Sequence, residues 1–490
     1  MFVKDVLIMK KKRSIAYNFI MNVILTMSSF IFPLITFPYV SRILSPEGIG
    51  KVSFATSVMS YFLIIAQLGI PTYGIRACAK VRDNREELNK TVKEIFCISM
   101  IMCVIAYVLL VTSIILIPKF QEERKLLIVI SAMILFTTLG AEWLYKALEM
   151  YSYITWRSIV FKLIALIAMF LFVHEKEDYV IYGAISILAS SASGIMNFIN
   201  LHKFVDLRAS YSLDFRKHMK PILFFFAMSC ATTVYLNLDT VMLGFMKTDA
   251  DVGYYNAAVK IKNMLVSIVT SLGAVLLPRV TYYIENGETD KFKNLAIKAI
   301  QFVYFFSFPL IVFFTIFAKQ GVLFLSGAGY YDAILPMQCM MPTLLFIGLT
   351  NIMGIQILVP LGKEKKVLIS VIAGAVVDLI INAILIPRYA AIGAAVGTMI
   401  AEIVVFIVQY LADRKLFAEL LSNINPIKTV IATVVGVIAS IWVFNMNFGY
   451  FLSLVLAGIC FGGAYLMCLL ILKESFMEEI KRIIANKFCK

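Results

Sequence analysis

Charge is scarce in this chain. Asp, Glu, Lys and Arg make up 15% of its 490 residues, where a soluble domain carries about 25%. Apolar residues reach 61%. A water-soluble globular enzyme is excluded, and an all-α polytopic membrane protein is implied. Histidine is scarcer still. His174, His202 and His218 fall in or near loops without ligand spacing, so no metal site is expected. None of the eight cysteines sits in a CxxC pair, and all lie in apolar runs, the 73–85 stretch or the C-terminal tail. That pattern argues against disulfides and zinc. There is no GxxxxGK[ST] sequence, hence no ATP site, and no cofactor is expected. No polar segment is long enough to fold as a separate catalytic domain.

What is present is a series of apolar runs. Their centres lie near Ile24, Leu63, Cys103, Phe136, Ile164, Ile187, Thr232, Val266, Phe306, Phe346, Ala375, Ile400, Val435 and Cys460. This makes about fourteen spans of a ~30 Å hydrocarbon core. The net charge is +15. Nucleic acid or acidic lipid would suit such a charge, but its distribution has a simpler cause. The N-terminus, Arg76–Lys93, Lys146–Lys162, Lys203–Lys220, Arg279–Lys298, Lys363–Lys366, Arg414–Lys428 and Lys473–Lys490 fall on one side. They hold roughly 35 of the 45 basic residues, which marks that side as cytoplasmic. An even number of spans puts both termini there. The opposite loops are short: Arg42–Gly50, Pro118–Lys125, His174–Asp178, Lys247–Asp251, Arg388–Ala390 and Asn445–Gly449. The longest is Lys319–Leu335, which contains SGAGYYD. Lys10–Arg13 before an apolar run imitates a signal peptide. The run is too long for one and no small-x-small site follows, so a retained first span is expected.

The stretch Ser14–Arg82 organises the rest. It reads as an apolar helix to about Val40, an outer turn (Ser41–Gly50), a second helix to about Thr72 and a basic loop (Tyr73–Arg85). On the first helix Ser14, Asn18, Asn22, Thr26, Ser29, Pro33 and Thr36 follow at steps of three or four, so they share a face. Ser53, Thr56, Ser57, Ser60 and Gln67 do the same on the second. Lipid offers these groups no partners, so the stripes turn toward other helices or a wet cavity. Interhelical packing by small polar residues explains each stripe equally well.

A faint internal repeat accompanies this hairpin. GKVSFA (Gly50–Ala55), Leu68-Gly69 and Arg76 are echoed by GYYNAA (Gly253–Ala258), Leu272-Gly273 and Arg279, with a one-residue shift at the Leu-Gly pair. The expected plan is an N-terminal lobe (1–205), a C-terminal lobe (206–413) and two further spans with a cytoplasmic tail (414–490). Internal repeats around a central site are a common transporter plan.

Charges at bilayer depth cost ~2.5–3.5 kcal/mol each, so each needs a reason. Asn256, Lys260, Asn263, Ser267 and Ser271 share one face of the eighth span, which makes Lys260 the leading cavity cation, with snorkelling as its alternative. Lys262 lies ~200° round the helix from it and is expected to face elsewhere. Lys51 falls opposite Ser53, Ser60 and Gln67 and is expected to snorkel. Arg42 follows Pro38, where helical phase is lost. Arg76, past Pro71 at the cytoplasmic end, either receives a phosphate or holds topology. Asp239 is close in phase to Thr232, Asp378 precedes Asn382 by four, and Glu402 follows Thr398 by four. These acids either form ion pairs or carry a coupling proton or cation. Glu142 and Lys146, at i and i+4, are expected to pair.

The residues Lys11–Ser57 (KKRSIAYNFI…GKVSFATS) and AQLGIPTYGIRACAKVRD after them closely resemble the Wzx-type polysaccharide flippases of the multidrug/oligosaccharidyl-lipid/polysaccharide (MOP) exporter superfamily. NLDTVMLG (Asn237–Gly244), VGYYNAAVKI (Val252–Ile261) and ILIPRYAAIGAAVGTMIAE (Ile384–Glu402) extend the resemblance along nearly the whole chain. It implies a MATE-like fold of fourteen helices in two six-helix lobes plus two, alternating access and a cationic central cavity. The implied cargo is an undecaprenyl-diphosphate-linked oligosaccharide, moved from the inner to the outer leaflet of the bacterial cytoplasmic membrane for capsule, O-antigen or exopolysaccharide assembly. A polysaccharide polymerase is an implied partner. Lys260, Arg42 and Arg76 are then the available phosphate partners. Asn18, Asn22, Ser60, Gln67, Asn256 and Asn263 are the sugar-facing polar groups. A lipid II or wall-precursor flippase is a neighbouring reading. A drug/cation antiporter would favour Asp239, Asp378 and Glu402 over Lys260. A membrane-embedded glycosyl transferase, ligase or polymerase would need an extended outer loop rich in acids, histidines or arginines, and Lys319–Leu335 offers only Asp332. A non-transporting scaffold would leave the polar stripes and buried charges as unexplained costs.

Overall fold

The computed structural model describes residues 15–206, 211–446, 448–478 and 481, and among them there is no strand. Lys10–Arg13, Ser14 and Cys489 lie outside the described residues. In chain order the helices are α1 (Ile15–Gln67), α2 (Ile70–Val81), α3 (Arg85–Leu116), α4 (Arg124–Gly140), α5 (Glu142–Ala147), α6 (Tyr151–Phe172), α7 (Tyr179–Ser190), α8 (Ser193–Leu201) and α9 (Arg216–Met246). There follow α10 (Asp249–Thr270), α11 (Gly273–Glu285), α12 (Thr289–Ile316), α13 (Ala318–Ser326), α14 (Ile334–Met340) and α15 (Thr343–Thr350). The last four are α16 (Glu364–Ala412), α17 (Arg414–Ser422), α18 (Ile427–Ser440) and α19 (Tyr450–Ile471).

Among the described residues, eight helical stretches are long and apolar enough to cross a membrane, or ten if two bent pairs each count as one span. All fourteen expected centres fall inside helices. The protein is therefore a multi-pass, all-helical membrane protein. Helix α3 shows why these sequences read as apolar all round. Its buried face is Leu88, Val92, Ile95, Ser99, Cys103, Ala106 and Leu110, while Ile101, Val104, Val108 and Ile115 stand exposed on the other side. Large aliphatic groups face outward because lipid, not water, surrounds them. Small and polar groups turn inward because only protein supplies close packing and hydrogen bonds there.

The helices cluster into two compact units. The first contains the chain up to Leu44 and Ala55–Thr233, and the second contains Ser45–Phe54 and Val234–Lys490. In the first, Leu68, Ile70, Cys78, Val92, Ile95, Trp143, Leu144 and Ile222 form a continuous core. Helices α4 and α8 touch through backbone, since a Cβ on Gly140 would lie 2.8 Å from the Gly194 Cα. In the second, Val269, Val280, Ile300, Val303, Leu349 and Phe417 form one core. Phe305, Phe313, Phe317, Phe461 and Tyr465 form another, along which the Tyr465 hydroxyl donates to the Phe305 carbonyl at 2.7 Å.

Several local readings need correction. The outer turn Ser41–Gly50 is helical except at Ser45, whose φ of 60° and ψ of 173° break α1. The basic loop Tyr73–Arg85 is mostly helix α2. The expected second helix, which runs to about Thr72, breaks instead at Gly69, whose φ is 72°, and a new helix starts there with Pro71 in its first turn. Ile70, Gly74 and Cys78 then bury one side of it, leaving Arg76 and Lys80 exposed. Lys319–Leu335 is not an extended loop but helix α13 followed by a 3-10 turn at Ala328–Ala333. Lys51 also forms an ion pair with Glu47 at 3.6 Å, one helical turn away. Lys162 does not end a cytoplasmic segment: it lies at the middle of α6.

The repeat has a structural counterpart inside the second unit. The segment Ser45–Phe54 is held there by the matched stretch. A Cβ on Gly50 would overlap the Asp249 carbonyl, and one on Gly253 would overlap the Pro46 carbonyl. The Tyr330 hydroxyl donates to the Ser45 carbonyl at 3.1 Å, and Phe54 meets Phe245 edge-on at 5.3 Å between centroids.

Candidate functional site

The three acids singled out in the sequence meet in the second unit. Helix α9 carries Tyr235 and Asp239 one turn apart, and α10 carries Tyr255 and Lys262 two turns apart. Helix α16 contributes twice. Its backbone breaks at Ala390, with φ 47° and ψ −126°, and its halves double back. A Cβ on Gly393 would lie 2.5 Å from the Leu385 carbonyl, and one on Gly374 3.5 Å from that of Ala401. This hairpin sets Asp378 and Asn382 against Thr398 and Glu402.

Asp239 is the hub. The Asn382 amide donates to its Oδ1 at 2.5 Å, and the Tyr255 hydroxyl donates to its Oδ2 at 2.5 Å. Thr398 Oγ1 lies 3.0 Å from the same Oδ2 and 3.0 Å from the Tyr255 hydroxyl. Asp239, Asp378, Asn382, Thr398, Glu402 and Lys262 are all buried. Lys262 faces all three carboxyl groups, and Tyr235 stands beside Glu402. Three acids against one lysine leave the ionised set at a formal −2. An uncompensated charge of that size in a low-dielectric interior costs several kcal/mol per ion.

Two acceptors in the cluster have no donor. Asp378 Oδ1 and Asn382 Oδ1 are buried without a hydrogen-bond partner, as is the Tyr235 hydroxyl. Both oxygens converge on Gly397, where a Cβ would overlap Asn382 Oδ1 and lie 3.2 Å from Asp378 Oδ1. Buried polar groups are rarely left unmatched, and convergent oxygens are what a hard cation or a shared proton binds. Among the described residues no group of three or more His, Cys, Asp or Glu is placed to hold a metal ion.

The other sequence candidates scatter. Lys260 and Asn256 are half-buried, with the Asn256 amide turned onto the Val252 carbonyl at 3.0 Å, and Asn263 is exposed. In the first unit Asn18 is buried with an unmatched Oδ1, and Asn22 is exposed. Ser60 bonds back to the Thr56 carbonyl at 3.0 Å, and Gln67 lines a cavity inside that unit. Arg42 is exposed and donates to the Pro38 carbonyl. Arg76 is exposed, with its guanidinium 5.1 Å from the centroid of Phe225.

Sequence reasoning missed two lysines. Lys262 was set aside because its face was not that of Lys260; the seven-residue spacing from Tyr255 is the signal that puts both on the acid-facing side. Lys162 was counted with the cytoplasmic charges. It sits in the first unit with its ammonium 2.9 Å from the Ser28 hydroxyl and 2.8 Å from that of Ser29. Each serine donates to the Leu25 carbonyl, at 2.7 and 3.1 Å, so their lone pairs remain for the lysine. Ser29 belongs to the polar stripe of the first helix, and the apolar residues on both sides of Lys162 were the available clue.

Comparison with known structures gives the class. The fold resembles that of a lipid II flippase, MurJ, in an inward closed conformation, with a TM-score of 0.75 at 15% identity over 93% of this chain and 98% of that one. It also resembles an inward-facing multidrug resistance MATE family transporter of the MOP superfamily, with a TM-score of 0.62 at 17% identity over 80% and 96%. This is a multi-pass membrane protein with the MOP transporter fold. The chain belongs to the polysaccharide biosynthesis protein family, which it matches over residues 15–283. It is 24% identical to an Escherichia coli (strain K12) protein described as an O-antigen transporter, over 78% of this chain and 93% of that protein. The resemblance read from the sequence is borne out at the level of family and fold.

Proposed function

We propose that this protein is a transporter, not an enzyme, that moves undecaprenyl-diphosphate-linked oligosaccharide units from the inner to the outer leaflet of the bacterial cytoplasmic membrane. It does so by alternating access, with fourteen spans, an N-terminal lobe over 1–205, a C-terminal lobe over 206–413 and both termini cytoplasmic. The delivered units feed a polysaccharide polymerase. Family membership and the O-antigen transporter relative support the cargo class.

The observation that carries this reading is Lys162. An ammonium has three N–H donors, and Ser28 and Ser29 take two. The third is available at mid-helix for an oxyanion such as a diphosphate linker, and Arg42 and Arg76 are further basic groups of the same unit. The polar groups of Asn18, Asn22, Ser60, Gln67, Asn256 and Asn263 suit a sugar chain, whose hydroxyl groups need exchangeable partners. The acid cluster couples the cycle: Asp239 and Asp378 hold a proton or monovalent cation and exchange it as the protein changes state, with Glu402 and Lys262 tuning the charge.

A drug/cation antiporter is the second reading, favoured by the same acid cluster. It makes the acids the drug site and gives Lys162 no role. Complementation separates the two. In a strain lacking its own flippase, restored surface polysaccharide that is lost with Lys162→Met supports the first reading. Drug resistance without polysaccharide supports the second.

A further inference from the structure

The first unit contains a second built site, which shares Gln67 with the proposed sugar-facing groups and includes none of the acid-cluster residues. A cavity of about 270 Å3 opens among α4, α5, α7 and α8, lined by Gln67, Glu142, Trp143, Lys146, Ser191 and Asn197. It exists because α7 and α8 meet at a 44° bend just beyond Ser190, while the Gly140–Gly194 contact draws α4 and α8 together at one side.

Its charges are arranged around Glu142: Glu142 and Lys146 line the cavity, and Arg157, which is not a lining residue, bonds to Glu142. Lys146 pairs with Glu142 Oε1 at 2.9 Å, and Arg157 donates to its Oε2 at 2.8 Å. One acid and two cations leave a formal +1. Arg157 is 5% exposed and Asn197 is fully buried. Two of the three guanidinium nitrogens of Arg157, Nε and Nη1, have no hydrogen-bond partner, nor does either polar atom of the Asn197 side chain. Unmatched groups of this kind are costly to bury when no ligand or water serves them. The set therefore wants mostly acceptors, carries positive charge, and also offers one amide oxygen to a donor.

We propose that this cavity binds a single acidic sugar, a hexuronic acid residue. Its carboxylate would sit toward Lys146, on the side of the Glu142–Arg157 pair, and a neighbouring hydroxyl would pair with the Asn197 amide. Size agrees, because ~300 Å3 is the lower end for small-ligand pockets and this one holds about one ring. The inference rests on the oligosaccharide reading only for the source of the ligand. It assigns this unit a selectivity for repeat units that carry a carboxylate.

The test is calorimetric titration of the purified full-length protein in lipid nanodiscs with glucuronate, glucose and inorganic phosphate. Glucuronate is expected to bind saturably, glucose at least tenfold more weakly, and phosphate weakly and without displacing glucuronate. Asn197→Ala and Lys146→Gln should each weaken glucuronate at least fivefold while melting within a few degrees of the parent protein. Glucose binding as tightly as glucuronate overturns the proposal, as does phosphate competing fully, or the absence of saturable heat with glucuronate. Binding needs no transport, so any of these failures leaves the flippase reading standing. Failed complementation in cells would leave a measured glucuronate site standing.

Discussion

Gly50 and Gly253 lie 203 positions apart (253 minus 50) and meet at one crossing in the second unit. A side chain on Gly50 would strike the Asp249 carbonyl, and one on Gly253 would strike the Pro46 carbonyl. Asp249 lies four residues before Gly253, and Pro46 four before Gly50, so the contact is reciprocal. These are the residues that the internal repeat pairs, and the contact gives a physical reason for a glycine at each.

Gly50→Ala and Gly253→Ala are expected to disrupt this crossing. The obstructing atoms are backbone carbonyls, which cannot rotate aside as a side chain does. Each change should cost at least the ~1–3 kcal/mol of ordinary overpacking. Fluorescence-detected thermal unfolding in detergent checks this; an unchanged midpoint for both variants would contradict it. Ser45, at φ 60°, predicts the opposite sign. Ser45→Gly should be as stable as the parent or more so, and Ser45→Val should lose about 1–3 kcal/mol, because that backbone region is nearly closed to side chains.

Asp239 accepts from Asn382 and Tyr255 and lies beside Thr398. Asp239→Asn keeps the shape but removes the charge and turns an acceptor into a donor facing the Asn382 amide. Export of surface polysaccharide should fall at least tenfold at normal protein level. Asp378→Asn should act alike, and Lys262→Met should alter the proton or sodium dependence of transport. Wild-type export by both aspartate variants would remove the coupling role.

Lys162→Met should abolish export with little change in melting temperature, and Lys162→Arg should retain part of it. Full export by Lys162→Met, measured as surface polysaccharide against protein level, would take the phosphate role away from this residue.

Glu94 gathers three donors within the first unit. It is fully buried and accepts from the Asp214 N–H at 2.8 Å, from Lys217 at 2.7 Å and from His218 Nε2 at 2.8 Å. The His218 Nδ1 is 2.6 Å from the Tyr73 hydroxyl. Glu94→Ala leaves several of these groups unmatched and should destabilise by about 3 kcal/mol, read as a lower unfolding midpoint. A change smaller than ~1 kcal/mol would contradict the network.

The fold was legible because lipid imposes one rule on every span, and apolar length alone reveals it. All fourteen centres fall in helices for that reason. The acids of the candidate site were legible too, as polar groups at helical spacing in apolar runs. What helical phase could not supply was which face meets which. Asp378 and Glu402 come together only because a single residue, Ala390, reverses the chain. Lys262 was missed because its partners lie on two other helices. Lys162 and Arg157 fall in the stretch Lys146–Lys162 that reads as a topology signal, although Lys162 stands at mid-helix and Arg157 is buried against Glu142. Helix α2 reads as a loop because its basic residues Arg76 and Lys80 follow an apolar span, while the four-residue spacing of Ile70, Gly74 and Cys78 marks the buried side of a helix.

The most direct measurement concerns the leaflet that holds the precursor. In a strain with no other flippase, lipid-linked oligosaccharides are extracted after labelling from outside, with this protein, with Lys162→Met, or with empty vector. Complete repeat units should accumulate on the inner leaflet without the protein, reach the outer leaflet with it, and accumulate again with the variant. Outward transfer of equal extent in all three strains would contradict the account.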